Sequence, residues 1–275
     1  MANTVELPVL TDATVELTDG VCIVTFNRDD VRNALTGTAL VADLLKITEW
    51  INRHHEAGVL ILTGKGRAFS SGGNVKDMYT KSGMFGAAPI ALQENYRYGI
   101  QQMTLAMHRI DVPTIAAVNG AAIGAGLDLA CMCDIRLGSQ AASVGETFVN
   151  LGIISADGGS WFLPRVVGMQ RAAEMTFSGR LVDAAEALSI GLFLEVVEPE
   201  NLLRRAVAMA SQFAGKPRAA LRMSKRLLQH GQRASLNDFL DFAASQQSLC
   251  HTSQQHHDAL AALFAGQPAL KPTTP

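Results

Sequence analysis

Two glycine-bearing loops are the parts of the sequence best suited to chemistry with backbone groups. The first, "GRAFSSGGNVKDM" (66–78), directly follows the apolar run "GVLILTG". The second, "NGAAIGAGLDLA" (119–130), opens a predicted helix at Gly124-Ala125-Gly126. Glycine permits close approach to a ligand, and the first N–H groups of a helix have no intrahelical partner. The loops therefore predict either an oxyanion site or tight packing turns.

The spacing of the glycines excludes two common phosphate sites. Neither GxGxxG nor GxxxxGK[ST] occurs in these loops, so dinucleotide and P-loop nucleotide binding are not predicted.

Asp128 lies just inside the second loop's helix, where a carboxylate beside an oxyanion site could act in general acid–base catalysis. The alternative is that Asp128 only complements the helix dipole, which stabilises by under about 1 kcal/mol.

Other conspicuous residues give weaker indications of a functional site. Met78, Met84 and Phe85 follow the first loop and could form either the apolar walls of a ligand site or part of the core. The histidines at 54–55 and in "HTSQQHH" (251–257) lie in predicted surface helices without a matching set of Cys or Asp. We therefore predict no metal site.

Strands and helices alternate in the first part of the chain. Residues 13–26 read as two short strands joined by an Asp19-Gly20 turn, which is typical of a hairpin. Apolar spacing predicts a helix over 40–51, and the all-apolar run at 59–62 predicts a strand buried on both faces. Further elements are predicted, namely a helix near 92–110, the strand "TIAAVNG", a helix at 124–132 and the strand "DIRLGS". This alternation indicates βαβ crossovers and a mainly parallel sheet.

After about residue 160 the sequence pattern predicts helices and no longer predicts strands. Pro199 and Gly215 bracket a helix over 200–214. Further helices are predicted at 217–229, 235–250 and 257–265. The predicted fold class is therefore an α/β core followed by a helical C-terminal part.

Composition and charge exclude several kinds of partner. Hydrophobic residues make up 48% and charged residues 17%, as in globular proteins. The formal net charge of −2 gives no electrostatic basis for nucleic acid or a membrane as partner. We expect no signal peptide and no membrane span. The four cysteines, at 22, 131, 133 and 250, match no metal or redox spacing, so we expect reduced thiols in the cytoplasm.

Three motifs together resemble those of the crotonase family, which includes enoyl-CoA hydratases and isomerases. They are "GRAFSSGGNVKDM", "PTIAAVNGAAIGAGLDLACMCDIR" and "LGIISADGGSWFLPRVVG", and the resemblance runs from about residue 13 to about 265. It implies a crotonase-like spiral of ββα units over 13–200, after an N-terminal tail at 1–12. It also implies a C-terminal helical region at 201–267 that builds a homotrimer or a dimer of trimers, followed by a loose tail at 268–275.

The resemblance also implies a role for the two glycine loops. In crotonases two backbone N–H groups bind the thioester carbonyl oxygen of an acyl-coenzyme A and stabilise the enolate formed beside it. The matching positions in this sequence are Gly73 and Ala125. Ser71, Asn74 and Val75 would border the path of the adenine and pantetheine groups. Coenzyme A would enter as part of the substrate, so no separate cofactor and no metal is implied.

The carboxylates depart from the pattern of the best-known hydratases, which use two glutamates. The first glutamate position is occupied by Asp128 and the second by Phe148, which cannot transfer a proton. Glu146 lies two residues earlier and would share a face with Phe148 on an extended chain. The alternative for Glu146 is a structural ion pair with Arg136 or Arg165.

Two further positions bear on catalysis and binding. Asp157 lies one residue from where some isomerases and a dehalogenase of the family place a working aspartate. The alternative is that Asp157 is the N-cap of the helix that begins "GGSWFLP". Many family members end in a basic run near the CoA phosphates, of which this sequence keeps only Lys271.

The resemblance therefore predicts an acyl-CoA enzyme in which Asp128 and Glu146 move protons, with Asp157 as a third candidate. Hydration of a trans-2-enoyl-CoA is the first expectation, and double-bond isomerisation and thioester hydrolysis are the alternatives. One carboxylate can move a proton between two carbons, whereas adding water is easier with two. A non-catalytic binding protein with a crotonase fold is the remaining alternative, and Phe148 is its best support.

Overall fold

The computed structural model describes residues 6–265, and their strands form two sheets. In chain order the strands are β1 (Ala13–Thr18), β2 (Val21–Phe26), β3 (Val59–Gly64), β4 (Ala68–Ser70), β5 (Thr114–Val118), β6 (Ala121–Ile123), β7 (Ile135–Ser139), β8 (Ser143–Gly145), β9 (Val182–Asp183) and β10 (Glu195–Val197). The larger sheet has the order β1-β2-β3-β5-β7-β10, and the smaller has the order β4-β6-β8-β9. The pairs β1–β2 and β8–β9 are antiparallel and all others are parallel. The predicted mainly parallel arrangement is confirmed.

Helices connect these strands, and after β10 the described chain contains helices and no further strand. They are α1 (Leu40–Arg53), α2 (Val75–Thr80), α3 (Pro89–Asn95), α4 (Gln101–Arg109), α5 (Ala125–Met132), α6 (Gly159–Val167), α7 (Met169–Ser178), α8 (Ala184–Ser189), α9 (Leu202–Ala214), α10 (Arg218–Gly231), α11 (Leu236–His251) and α12 (Gln254–Phe264). One compact unit ends at Ala214 and a second, containing α10 to α12, begins at Gly215. The loose tail predicted at 268–275, Lys271 and the start of the tail predicted at 1–12 lie outside the described residues.

The hydrophobic core of the first unit lies on both faces of the larger sheet. Along β3, Leu60 and Leu62 pack in one cluster with residues of α1, and Val59 and Ile61 pack in a second cluster with residues of α9. Successive side chains of a strand point to opposite faces. This strand is apolar at every one of these positions because both of its faces are covered.

The smaller sheet repeats the order of the larger one. Each of β3, β5 and β7 is followed by one short strand, β4, β6 and β8, and these three pair in parallel. A helix follows each pair, which gives successive ββα units and confirms the predicted spiral. The parallel pairing places the loop after β4 beside the start of α5, so the two glycine loops of the sequence become neighbours.

Two parts of the chain differ from the sequence prediction. The helix expected over 92–110 is divided into α3, a π-helical turn at Tyr96–Ile100 with a kink at Gly99 (φ −108°, ψ −109°), and α4. Strands also continue after residue 160, because β9 and β10 add to the two sheets. With two and three residues, they are too short for a periodic pattern to predict. Among the described helices, none has both the length and the apolar character to cross a membrane.

Asp43 on α1 fixes the start of β1, and its removal gives a first testable prediction. This buried carboxylate accepts hydrogen bonds from the N–H groups of Thr11, Asp12 and Ala13 at 2.7–3.0 Å. Asp43→Ala is expected to lower the free energy of unfolding by about 3 kcal/mol, because three donors lose a charged acceptor. Urea denaturation measures the change.

The matched control is Glu49→Ala on the same helix. Glu49 is exposed and pairs with Arg53 across one helical turn at 2.7 Å. Loss of such an exposed pair is expected to cost about 0.5 kcal/mol or less. Equal effects of the two substitutions would contradict the assigned role of Asp43.

Candidate active site

The two glycine loops meet at one pocket of the first unit. The pocket has an empty volume of about 340 Å³, open solvent included, and both Gly73 and Ala125 line it. A Cβ at Gly126 would lie 2.2 Å from the carbonyl oxygen of Ser70, so the start of α5 touches the end of β4. A Cβ at Gly72 (φ +75°) would lie 3.0 Å from Ala125 N. Glycine is required at both positions because the two backbones are in direct contact.

Two backbone donors at this pocket have no partner. The N–H groups of Gly73 and Ala125 donate no hydrogen bond to any group within residues 6–265. The adjacent amides are used, since Asn74 N–H donates to Thr36 Oγ1 at 2.7 Å and Gly124 N–H to a backbone carbonyl at 2.8 Å. Ala125 is also the first residue of α5, where the helix dipole adds partial positive charge. Such a pair of donors suits a developing oxyanion.

The rest of the pocket wall is mostly apolar. Met78, Met84 and Phe85, which the sequence left open between ligand wall and core, all line the pocket. A Cβ at Gly73 would lie 2.6 Å from Met78 Cε, so a larger residue there would compete with the wall for space. The other apolar wall residues are Tyr96, Ile100, Phe148, Ile153, Ile154 and Ala156. This surface is suited to an acyl chain.

The three candidate carboxyl groups lie together, and all are buried. Asp128 is 0%, Glu146 1% and Asp157 4% exposed. A Cβ at Gly159 would lie 2.0 Å from Asp128 Oδ1 and 2.6 Å from Glu146 Oε1, which places these two carboxyl groups side by side. Among the three, Asp157 alone lines the pocket. Asp128 and Glu146 therefore lie behind it.

Few donors reach this cluster. Ser155 Oγ donates to Asp128 Oδ2 at 2.9 Å. Asp128 Oδ1, Asp157 Oδ1 and both oxygens of Glu146 have no donor among the described residues. Buried carboxylates without donors are strongly disfavoured, so the groups must share protons with one another.

Two alternative roles from the sequence are wrong. Arg136 donates to the carbonyl groups of Cys133 and Leu192, and the Arg165 guanidinium lies 3.7 Å from the centre of the Trp161 ring, so neither pairs with Glu146. Asp157 does not cap α6 either. The N-cap of that helix is Gly158, with no side-chain hydrogen bond.

The expectation that Glu146 and Phe148 share one face of an extended segment is also wrong. Residues Thr147–Leu151 form a 3₁₀ helix, which Glu146 precedes. The Phe148 ring lies in the pocket wall, about 3.4 Å from where a Cβ of Gly124 would be. Glu146 lies instead beside Asp128.

Burial and mutual repulsion favour the protonated form of all three carboxyl groups. Burial raises the pKa of Asp128 well above its usual value, and the adjacent charge of Glu146 raises it further. The pKa of Asp157 is raised by burial and then by Asp128. The pKa of Glu146 is raised by burial and, in smaller part, by Asp157, while interaction with the Asp128 carboxyl group acts to lower it. The pKa of Tyr96 is also raised, by burial and then by the charge of Asp157.

Helix α4 holds the Asp157 loop in place, a contact that the sequence did not indicate. Gln101 Nε2 donates to the carbonyl of Ala156 at 2.7 Å, and Thr104 Oγ1 donates to the carbonyl of Asp157. The next residue, Gly158, has φ +124°. The only signal in the sequence is two polar residues spaced three apart on one helix, which by itself identifies no partner.

Three predicted CoA-contacting residues lie outside the pocket wall. The Asn74 side chain caps α2, and Ser71 Oγ donates to the carbonyl of Val31 at 3.3 Å. Val75 is 52% exposed. Their place along a CoA path stays a prediction. Within residues 6–265 no group of three or more His, Cys, Asp or Glu is arranged to hold a metal ion.

Asp128→Asn is expected to stabilise the protein at pH 8 by about 1–3 kcal/mol, because it removes a buried ionisable group whose only donor is Ser155 among the described residues. A carboxyl whose pKa is raised by folding contributes most stability below its unfolded pKa of about 4, and this is lost as pH rises through the folded pKa. The advantage of the variant should therefore vanish near pH 4. Urea denaturation at several pH values, with the exposed Asp241→Asn as control, measures it. A variant less stable than wild type at pH 8 would contradict the shared-proton cluster.

Comparison with known proteins agrees with this geometry. The family model for enoyl-CoA hydratase/isomerase matches residues 16–264. The chain is 32% identical to the short-chain-enoyl-CoA hydratase of Clostridium acetobutylicum, over 93% of this chain and 95% of that protein. It is 30% identical to the crotonyl-CoA hydratase of Syntrophomonas wolfei, over 91% and 94% respectively. The crystal structure of an enoyl-CoA hydratase from Bacillus anthracis superposes with a TM-score of 0.84 at 29% identity, covering 94% of this chain and 98% of that one. The chain therefore belongs to the enoyl-CoA hydratase/isomerase family, the crotonase family of the sequence motifs.

Proposed function

We propose that the protein is an enoyl-CoA hydratase that adds water to the double bond of a trans-2-enoyl-CoA. One observation carries the proposal, which is that the unpaired N–H groups of Gly73 and Ala125 line the same apolar pocket as the Asp157 carboxyl group. Relatives at 30–32% identity that are named short-chain-enoyl-CoA and crotonyl-CoA hydratases support it.

The two donors act on the thioester. When water attacks the β carbon, the electron pair of the double bond moves towards the thioester carbonyl and forms an enolate. Gly73 N–H and Ala125 N–H donate to the enolate oxygen, and the loss of one such donor typically costs about 2.7–4 kcal/mol of transition-state stabilisation. The apolar walls around Met78 and Phe85 hold the acyl chain and keep bulk water away.

Asp157 is the group that exchanges protons with the substrate. The hydroxyl of water bonds to the β carbon, its remaining proton passes to the carboxyl cluster, and the cluster returns a proton to the α carbon. Asp157 lines the pocket, whereas Asp128 and Glu146 lie behind it. The sequence analysis predicted that Asp128 and Glu146 move protons. We now propose that they exchange protons with Asp157, and that Asp157 exchanges protons with the substrate.

Double-bond isomerisation is the second candidate, and one observation favours it. Asp157 is the only carboxylate among the described residues that line the pocket, and Phe148 occupies the wall where the second glutamate of the best-known hydratases would be expected. One carboxyl group suffices to take a proton from one carbon and return it to another. Addition of water has no second carboxylate to orient the water.

We further propose the assembly and setting that the family resemblance implies. Coenzyme A enters as part of the substrate, with no separate cofactor, and the enzyme acts in the cytoplasm. The region 201–267 builds a homotrimer or a dimer of trimers. Large apolar side chains of the first unit are exposed, including Phe177 at 79% and Leu194 at 58%, and burial against a second copy would cover such surface. Light scattering after gel filtration measures the assembly.

The experiment that tests the activity uses two substrates. Purified protein is incubated with crotonyl-CoA and, separately, with a 3-enoyl-CoA, and the products are identified by mass spectrometry and chromatography. A hydratase adds the mass of one water to crotonyl-CoA, an isomerase moves the double bond of the 3-enoyl-CoA without a change in mass, and a hydrolase releases free CoA. No turnover of any enoyl-CoA would favour a non-catalytic binding protein.

A further inference from the structure

Glu146 is the most unusual buried group of the site. It is 1% exposed, and neither of its carboxyl oxygens has a donor among the described residues. The nearby cation Arg136 is held by two backbone carbonyl groups. Phe148 stands in the pocket wall two residues further on, whereas Glu146 does not line the pocket. Among the described residues Glu146 is therefore set back from the pocket wall and forms no ion pair with a cation.

Asp128 is the member of the cluster that interacts with both of the others. Its carboxyl group lies beside that of Glu146 across the space at Gly159, and its charge raises the pKa of Asp157. A hydrogen bond between two of these groups requires a proton on one of them, since two carboxylates can only repel each other. Gly159 makes the contact between Asp128 and Glu146 possible, because any side chain at this position would occupy the space of both carboxyl groups.

We propose that Glu146 is a positioning residue that holds a proton for Asp128, so that the three carboxyl groups form a relay whose outer member, Asp157, meets the substrate. This proposal rests on the proposed function, because the relay serves the proton exchange at Asp157. The proton released when water attacks the β carbon passes to Asp157, which in turn passes its own proton to Asp128, while Glu146 keeps its proton and donates to Asp128. When Asp157 then gives its proton to the α carbon, an O–H bond breaks, a C–H bond forms, and Asp128 returns a proton to Asp157. The cluster therefore ends each cycle with the protons it began with.

The relay solves a problem that follows from a single carboxyl group in the pocket. In the hydration reaction one group must receive the proton of water and also supply a proton to carbon. A lone buried carboxyl group could do both in turn, but it would have to be ionised at the start of every cycle, which burial without donors disfavours. With two further carboxyl groups behind it, Asp157 can pass on one proton and receive another without exchange with bulk water.

The titratable groups around Glu146 set the expected pH dependence. They are Asp128 and Cys131 on α5, Asp157 before α6 and, beyond it, Tyr96, and burial raises the pKa of each. These groups favour retention of protons in the cluster. The cation Arg136 acts in the opposite direction on the pKa of Cys131, but its guanidinium is held by two backbone carbonyl groups. In Glu146→Gln the side-chain amide can donate to Asp128 Oδ1, which favours the ionised form of Asp128. The decline of kcat at high pH should therefore begin at a lower pH in this variant than in wild type.

The first test needs no substrate. Infrared spectra of the wild-type protein at pH 7 are expected to show the carbonyl band of a buried protonated carboxylic acid. Glu146→Gln should remove at least part of this band, Glu146→Asp should retain it, and the exposed control Glu49→Gln should leave it unchanged. Glu146→Gln should also be at least as stable to heat as wild type, since it removes a buried carboxyl group without donors. The absence of the band in wild type, or its full retention in Glu146→Gln, would overturn the proposal.

The second test measures turnover. Glu146→Gln is expected to lower kcat by about ten- to a hundredfold, less than the 10²- to 10⁴-fold contribution of a directly acting acid or base. KM should change by less than about twofold, because Glu146 does not line the pocket. A rise in KM with unchanged kcat and an unchanged pH profile would mean a purely structural role and overturn the relay. If wild type turns over no enoyl-CoA, the proposed function fails, while the infrared band still decides whether Glu146 holds a proton.

Discussion

Asp157→Asn is expected to lower kcat on a trans-2-enoyl-CoA by about 10²- to 10⁴-fold, the usual contribution of a positioned general acid or base. Asparagine keeps the size of the side chain, and Thr104 would still donate to the backbone carbonyl at this position. KM should change little, because the N–H groups of Gly73 and Ala125 and the apolar walls remain. Steady-state kinetics at the pH optimum of wild type measure both constants.

Two comparisons make this test specific. Asp241→Asn, on the exposed surface of α11, should have the activity of wild type. Asp128→Asn should reduce kcat less than Asp157→Asn, because Asp128 is fully buried behind the pocket. Full activity of Asp157→Asn together with an inactive Asp128→Asn would mean that Asp128 reaches the substrate directly, contrary to the proposed assignment.

Gly126→Ala is the substitution expected to separate the two backbone donors. A Cβ at this position would lie 2.2 Å from the carbonyl oxygen and 2.8 Å from the carbonyl carbon of Ser70. Both are backbone atoms at the end of β4, so α5 as a whole must move away, and Ala125 moves with it. We expect a loss of about 1–3 kcal/mol in the free energy of unfolding, as for other overpacked sites. We also expect a fall in kcat/KM of about 10²-fold or more, because one oxyanion donor is displaced.

The matched control for this substitution is Gly58→Ala. A Cβ there would find its nearest atom at 3.5 Å, which is ordinary van der Waals contact, and the position has no positive φ. Its stability in urea and its kcat/KM should stay close to those of wild type. A folded Gly126→Ala protein with full kcat/KM would show that catalysis does not depend on the approach of α5 to β4.

The elements that the sequence predicted well are those set by local chemistry. Asp19 (φ 50°) and Gly20 (φ 80°) form the expected hairpin turn between β1 and β2. The apolar run of β3 and the amphipathic pattern of α1 were likewise sufficient to place both elements. The short strands β4, β6 and β8 were not predicted, since three residues carry no usable periodicity and each is held only by its neighbours in the smaller sheet.

The candidate site also has a part that the sequence predicted and a part that it did not. The two glycine loops could be singled out because a glycine loop and a helix start are local features, and the family resemblance then named Gly73 and Ala125 within them. The grouping of Asp128, Glu146 and Asp157 could not, because it depends on how α5, β8 and α6 pack together. A choice between the alternative roles of Glu146 and of Asp157 requires the positions of their possible partners. Spacing along the chain does not reveal those positions. The small size of Gly159, which admits two carboxyl groups, has no signature in the sequence.

The π-helical turn at Tyr96–Ile100 links the identity of the acyl chain to the rate of the reaction. This turn supplies part of the pocket wall. The helix that continues from it holds the carbonyl groups of Ala156 and Asp157 through Gln101 and Thr104, respectively. An acyl group of unsuitable length or branching that presses on the turn would shift the carboxyl group as well. Such a thioester would still be bound but would be poorly aligned. Discrimination among fatty acyl groups should therefore reside in turnover rather than in affinity.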